Sequence, residues 1–173
     1  MAGYGASAGQ SEPDQIQTIL GIATINDGVS GTTANENLEG LAPFTSPLAT
    51  RLAIDPSQIV VVNYAINDSA YDTLDEYEQN LYDWVRAVRA AGKIPVLEEP
   101  NPSALPAYQA SMPAFVAAMD RTAQALNVPL VPQYYRIMAL PNWQSLLYDG
   151  LHPNAQGYAV KAAETAAVLK TLM

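Results

Sequence analysis

The chain contains a single histidine, His152, three residues after Asp149 in the stretch "YDGLHPNAQG" (148–157). An imidazole can take a proton from a hydroxyl nucleophile and return it to a leaving group, provided that a carboxylate fixes its tautomer and stabilises the imidazolium. Asp-x-x-His supplies both groups within one short loop. Two further stretches carry groups suited to the other half of such a reaction. In "NDGVSGTT" (26–33), Gly31 lets the backbone approach a ligand closely, so that its N–H can donate to an oxyanion. In "NYAINDSA" (63–70), Asn67 offers a side-chain amide to the same oxygen. Each group also has a plainer use: a surface histidine, an Asx turn at "IND", a helix cap at Asn154. Their common position after successive predicted strands favours the chemical reading.

The nucleophile is the difficult part. Ser7 lies in "GASAG" (5–9), which matches Gly-x-Ser-x-Gly, a pattern that needs a strand before it and a helix directly after it to form a nucleophile elbow. Only six residues precede Ser7. Ser30, Ser69 and Ser103 stand in other loops of the same set, at positions suited to oxyanion or substrate contacts.

The elements that position these loops are legible from hydrophobic patterning. "IATIN" (22–26), "IVVVNYA" (59–65), "IPVLEEP" (94–100) and "PLVPQYY" (129–135) read as strands, the second so continuously apolar that it predicts burial on both faces. Helices are predicted over 12–21, 46–54, 73–92, 113–127 and 154–172. In the third of these, Leu74, Tyr77, Leu81, Trp84, Val85 and Val88 mark one apolar face and Gly92 ends it. Strands alternating with helices predict a parallel sheet covered on both sides. Functional loops in such sheets gather beyond the carboxyl ends of the strands.

Composition excludes several alternatives. The 173 residues suit one domain with a full core, and no apolar run is long enough to span a membrane. There is no cysteine, so disulfides, thiolate metal sites and cysteine nucleophiles are excluded, and an oxidising or reducing compartment is equally acceptable. A formal charge of −9 without a basic cluster disfavours nucleic acid. One histidine leaves only carboxylates for a metal, and "DGVSGTT" lacks the lysine of a phosphate-binding loop, so neither metal nor cofactor is expected.

The combination resembles the SGNH (GDSL-type) hydrolases, a family of esterases, lipases, thioesterases and carbohydrate deacetylases. "INDGVSGTT", "AINDS" and "DGLHPNAQGY" are similar to its second, third and last blocks. The resemblance implies a flavodoxin-like three-layer α/β/α sandwich formed by residues 1–173 as one domain. It also implies a Ser-His-Asp acyl-enzyme mechanism on a small-molecule or carbohydrate ester, with Asp149 and His152 in the triad and Gly31 and Asn67 in the oxyanion hole. Ala65 replaces the usual glycine of the third block. The first block, Gly-Asp-Ser, is not in the chain; "AGYG" (2–5) corresponds to the residues just after that block, which would put Met1 just past the nucleophile. On that alignment the first strand is missing and hydrolysis of short-chain aryl esters is expected to be negligible. The alternative is a non-catalytic carbohydrate- or partner-binding module of the same fold. The missing strand is central in the order 2-1-3-4-5. Its gap is therefore expected to be filled by N-terminal residues, by a segment swapped from another copy, or by pairing of 22–26 with 59–65.

Overall fold

The computed structural model describes residues 3–173; Met1 and Ala2, where the "AGYG" correspondence begins, lie outside the described residues. Three strands, β1 (Ile59–Val62), β2 (Ile94–Glu98) and β3 (Leu130–Val131), form a parallel sheet in the order β1-β2-β3. Val62 pairs with Leu97, and Leu97 with Leu130.

Period-two alternation sends neighbouring side chains to opposite faces. Val62 and Leu97 join a core with Tyr77, Leu81, Trp84, Val85 and Val88 of α5 (Leu74–Ala90) and Met112, Phe115, Val116 and Met119 of α6 (Pro106–Leu126). Val96 and Val131 face the other way, against Ile16 of α1 (Glu12–Leu20) and Ala162 and Leu169 of α8 (Ala155–Leu169). Two shorter helices, α2 (Ala34–Glu39) and α3 (Leu48–Ile54), precede β1, and α2 packs on α5. The result is the predicted three-layer α/β/α arrangement. The apolar face of α5 is as the sequence predicts, except that Leu74 is left 37% exposed at its start.

Two predicted strands differ. Residues 22–26 form no strand and Ile25 is 58% exposed. Nor do they pair with 59–65: β1 is an edge, and among the described residues no segment pairs with its outer side. The Thr24 N–H goes to the Gln17 side chain at 3.2 Å instead of to a neighbouring strand, so no ladder fixes the segment as a strand. The last predicted strand, 129–135, is cut to Leu130–Val131. Pro132 has no N–H to continue the ladder. The Glu99 carboxylate then accepts the Tyr134 N–H at 2.7 Å, which turns the chain into a short helix, α7 (Tyr134–Met138); the one-turn helix Asp68–Tyr71 is α4. The α6 helix begins at Pro106 rather than 113; Pro113 lies inside it, and Pro106 gives the start signal seven residues earlier in the chain.

One buried polar network joins three elements. Lys161 of α8 places Nζ 2.5 Å from Glu98 Oε1 of β2 and 3.6 Å from Glu12 Oε2 of α1. Thr165 donates to Glu12 Oε1 at 3.0 Å, and Gln133 donates to Glu98 Oε1 at 2.5 Å. Burial, reinforced by the charge of Glu98, pushes the Glu12 carboxyl up to about 8.

Candidate active site

The loop carrying Asp149 and His152 is tied at its base before it presents anything. Leu147 and Pro153 form an antiparallel bridge, and the Tyr148 N–H donates to the His152 carbonyl at 2.7 Å. Asn154 then caps α8, its Oδ1 accepting from Gln156 N–H at 3.0 Å and Gly157 N–H at 3.1 Å. Gly157 is required there: a Cβ would stand 2.3 Å from the Leu146 carbonyl oxygen.

Within this loop Asp149 uses both carboxylate oxygens. Oδ1 accepts the N–H of Leu151 at 3.0 Å and of His152 at 2.8 Å, and Oδ2 lies 2.8 Å from His152 Nδ1. Desolvation raises the Asp149 pKa, but the hydrogen bonds from His152 and Leu151 outweigh it and hold the carboxyl down to about 2. An ionised carboxylate can only accept, so Nδ1 must be the donor and Nε2 the nitrogen left to take a proton. The pair is half-exposed, with side chains 35% and 37% accessible.

The loops after the strands are chained together by side-chain amides. After β1, Asn67 Nδ2 donates to the Thr32 carbonyl at 2.9 Å, next to Gly31, and the Ala34 N–H donates to Asp68 Oδ1 at 2.8 Å. Asn63 Nδ2 donates to the carbonyls of Glu98 and Glu99 after β2. Asn101 Nδ2 donates to the Leu151 carbonyl at 2.8 Å and Ser103 Oγ to the Gly150 carbonyl at 3.0 Å, bracing the histidine loop. Gly31 has φ +79° and, among the described residues, nothing within 4 Å of where a Cβ would be.

The predicted site residues therefore fall into two bonded sets, Asp149 with His152 and Asn67 with the Gly31–Thr32 turn. Ser7 joins neither. It is exposed, no strand precedes it among the described residues, and α1 starts only at Glu12. No hydrogen bond links Ser7 to His152 among the described residues.

Sequence reasoning missed Asp68 and Asn101 as supports, gave Ser103 an oxyanion or substrate place where it braces the Gly150 carbonyl, and missed Tyr4, whose ring centroid lies 4.4 Å from that of His152. "EEPNPS" (98–103), the irregular stretch after a predicted strand, was the available signal for the second and third. Burial without a full set of partners pushes the Asp68 carboxyl up to about 7; its Oδ2 has no hydrogen bond among the described residues. Burial also raises Glu99 to about 7.

Comparison with known proteins bears on the fold and the family. Three solved structures illustrate the likeness. TesA has 22% identity and a TM-score of 0.82, with 99% of this chain and 94% of that chain covered. A lipase/acylhydrolase from Enterococcus faecalis has 19% identity and a TM-score of 0.75, with 93% and 85% covered. A carbohydrate esterase of family 3 from Talaromyces cellulolyticus has 18% identity and a TM-score of 0.73, with 98% and 92% covered. At these identities the likeness concerns the fold. No curated protein matches the sequence. The model of the GDSL-like lipase/acylhydrolase family matches residues 1–160, and the chain belongs to that family.

Proposed function

We propose that the protein is a serine-type carboxylic ester hydrolase. His152 Nε2 accepts the nucleophile's proton and passes it to the leaving alcohol, Asp149 holds His152 Nδ1, and the Gly31 N–H and Asn67 amide donate to the oxyanion. The observation that carries the reading is the Asp149–His152 contact at 2.8 Å, on an ionised carboxylate, in a loop braced by the one after β2. Ser7 is the candidate nucleophile within the chain. A small-molecule or carbohydrate ester suits a net charge of −9 better than an anionic substrate does.

A second reading has one observation in its favour. Ser7 lacks the strand and adjoining helix that present a nucleophile, which supports a non-catalytic carbohydrate- or partner-binding module of the same fold. The test is hydrolysis of p-nitrophenyl acetate by the chain and by His152→Ala and Ser7→Ala, with folding checked by circular dichroism. Hydrolysis lost in both variants carries the esterase reading with Ser7 as nucleophile. Hydrolysis that survives His152→Ala overturns it. Negligible turnover by a folded chain removes Ser7 as the nucleophile.

A further inference from the structure

His152 is held at Nδ1 by Asp149, but a single contact in a half-exposed loop leaves the ring free to rotate about χ1 and χ2. A second contact comes from far away in the chain. The Tyr4 ring lies 4.4 Å from the imidazole, centroid to centroid, at an interplanar angle of 49°. Tyr4 is 53% exposed, so its placement is not explained by core packing. Two groups fix it. The Tyr158 hydroxyl, buried in α8, donates to the Tyr4 carbonyl at 2.9 Å, and Tyr148, the neighbour of Asp149, stands edge-on to the Tyr4 ring at 6.4 Å. Gly5 lets the backbone continue past this point, since a Cβ there would lie 3.1 Å from Tyr148 Cβ and 3.2 Å from the Pro153 carbonyl.

We propose that Tyr4 is a positioning residue for His152: its ring packs on the imidazole, its backbone is moored to α8 through Tyr158, and together they hold the rotamer in which Nδ1 meets Asp149 and Nε2 stays free. The role rests on the esterase reading, which makes His152 the proton carrier, but it concerns the geometry of the ring and not turnover. The ring contact acts on one face of the imidazole while the carboxylate acts on its edge. Neither alone restrains both torsions. Losing the ring lets the imidazole swing away from Asp149, and with it goes the constraint that keeps the proton on Nδ1.

The test uses the fact that His152 is the only histidine of the chain, so its ring nitrogens give an unambiguous 15N signal. The ratio of Nδ1–H to Nε2–H tautomer is read from those shifts in the neutral ring, for the wild type, Tyr4→Leu, Tyr4→Phe and Tyr158→Phe. An aromatic contact of about 0.5–1.5 kcal/mol corresponds to a fall of about two- to tenfold in that ratio on Tyr4→Leu. Tyr4→Phe keeps the ring and should keep the wild-type ratio. Tyr158→Phe loosens the mooring and should move the ratio the same way as Tyr4→Leu, by less. If Tyr4→Leu does not fold, the Tyr158→Phe shift decides alone. An unchanged ratio in Tyr4→Leu, or in Tyr158→Phe when it decides alone, overturns the proposal, as does an equal fall in Tyr4→Phe. Turnover enters none of these outcomes, so failure here leaves the esterase reading standing, and failure of that reading leaves the tautomer result interpretable.

Discussion

Replacing Asp68 by asparagine should flatten the dependence of stability on pH. Asp68 is fully buried; its Oδ1 takes the Ala34 N–H, which holds the Gly31–Thr32 turn beside Asn67, and its Oδ2 has no partner among the described residues. Burial lifts its pKa from an ordinary 3.8 to about 7. The sign comes from proton counting: between those values the unfolded chain has released the proton and the folded chain still holds it, so stability falls as pH rises and levels off above about 7. Each unit is worth about 1.4 kcal/mol, so the wild type should lose on the order of 2–3 kcal/mol at this one group between pH 5 and 8. Asparagine keeps the acceptor for Ala34 and does not ionise. It also leaves buried amide protons unbonded, at about 1–3 kcal/mol, a penalty constant with pH. Urea unfolding of both proteins at several pH values and fixed ionic strength isolates the group, because Glu12 and Glu99 titrate in both. Asp68→Asn should therefore be the less stable protein at pH 5 and draw level with, or pass, the wild type by pH 8. Parallel curves for the two proteins would refute the reasoning.

Asn67→Ala should lower kcat of any ester hydrolysis by about 100- to 1000-fold with the fold intact, the usual effect of losing one oxyanion donor; an unchanged kcat, measured under saturating ester, removes Asn67 from the site. Lys161→Met leaves Glu98 and Glu12 buried without their cation and should cost about 3–5 kcal/mol in denaturant unfolding at pH 8. The deficit should shrink toward pH 5, where the Glu12 carboxyl, raised to about 8, is already neutral.

The parts of the molecule legible in the sequence are those whose cause is local. The α5 helix shows its buried face in Tyr77, Leu81, Trp84, Val85 and Val88, and a Thr73–Glu76 capping box marks its start. Asp149 and His152 bond across three residues, so their spacing alone announces the pair. What was hidden depends on distant partners. Residues 22–26 have strand composition, but a strand exists only beside another, and among the described residues none pairs with them. The stretch after Val131 turns into a helix because a glutamate from the neighbouring strand's end, Glu99, takes the Tyr134 N–H. Tyr4 meets His152 across almost the whole length of the chain, and no pattern near either residue signals it.

The network around Lys161 has a consequence for how α1 and α8 find their alignment. The face that α8 turns inward carries Tyr158 near its start and Leu169 at its end, and between them Ala162, Thr165 and Ala166 are small side chains around the buried Lys161. Small side chains in that middle stretch fix the offset of two helices only weakly. Charge removes that freedom. Only one offset brings Glu12 beside both Thr165 and Lys161, and brings Lys161 over Glu98 of the sheet. A slip of one turn, about 5.4 Å, would leave a buried cation and two carboxylates without each other. The salt bridges thus serve less to strengthen the helix pair than to make its sliding states inaccessible, and they anchor to the sheet the helix whose start Asn154 caps at the end of the His152 loop.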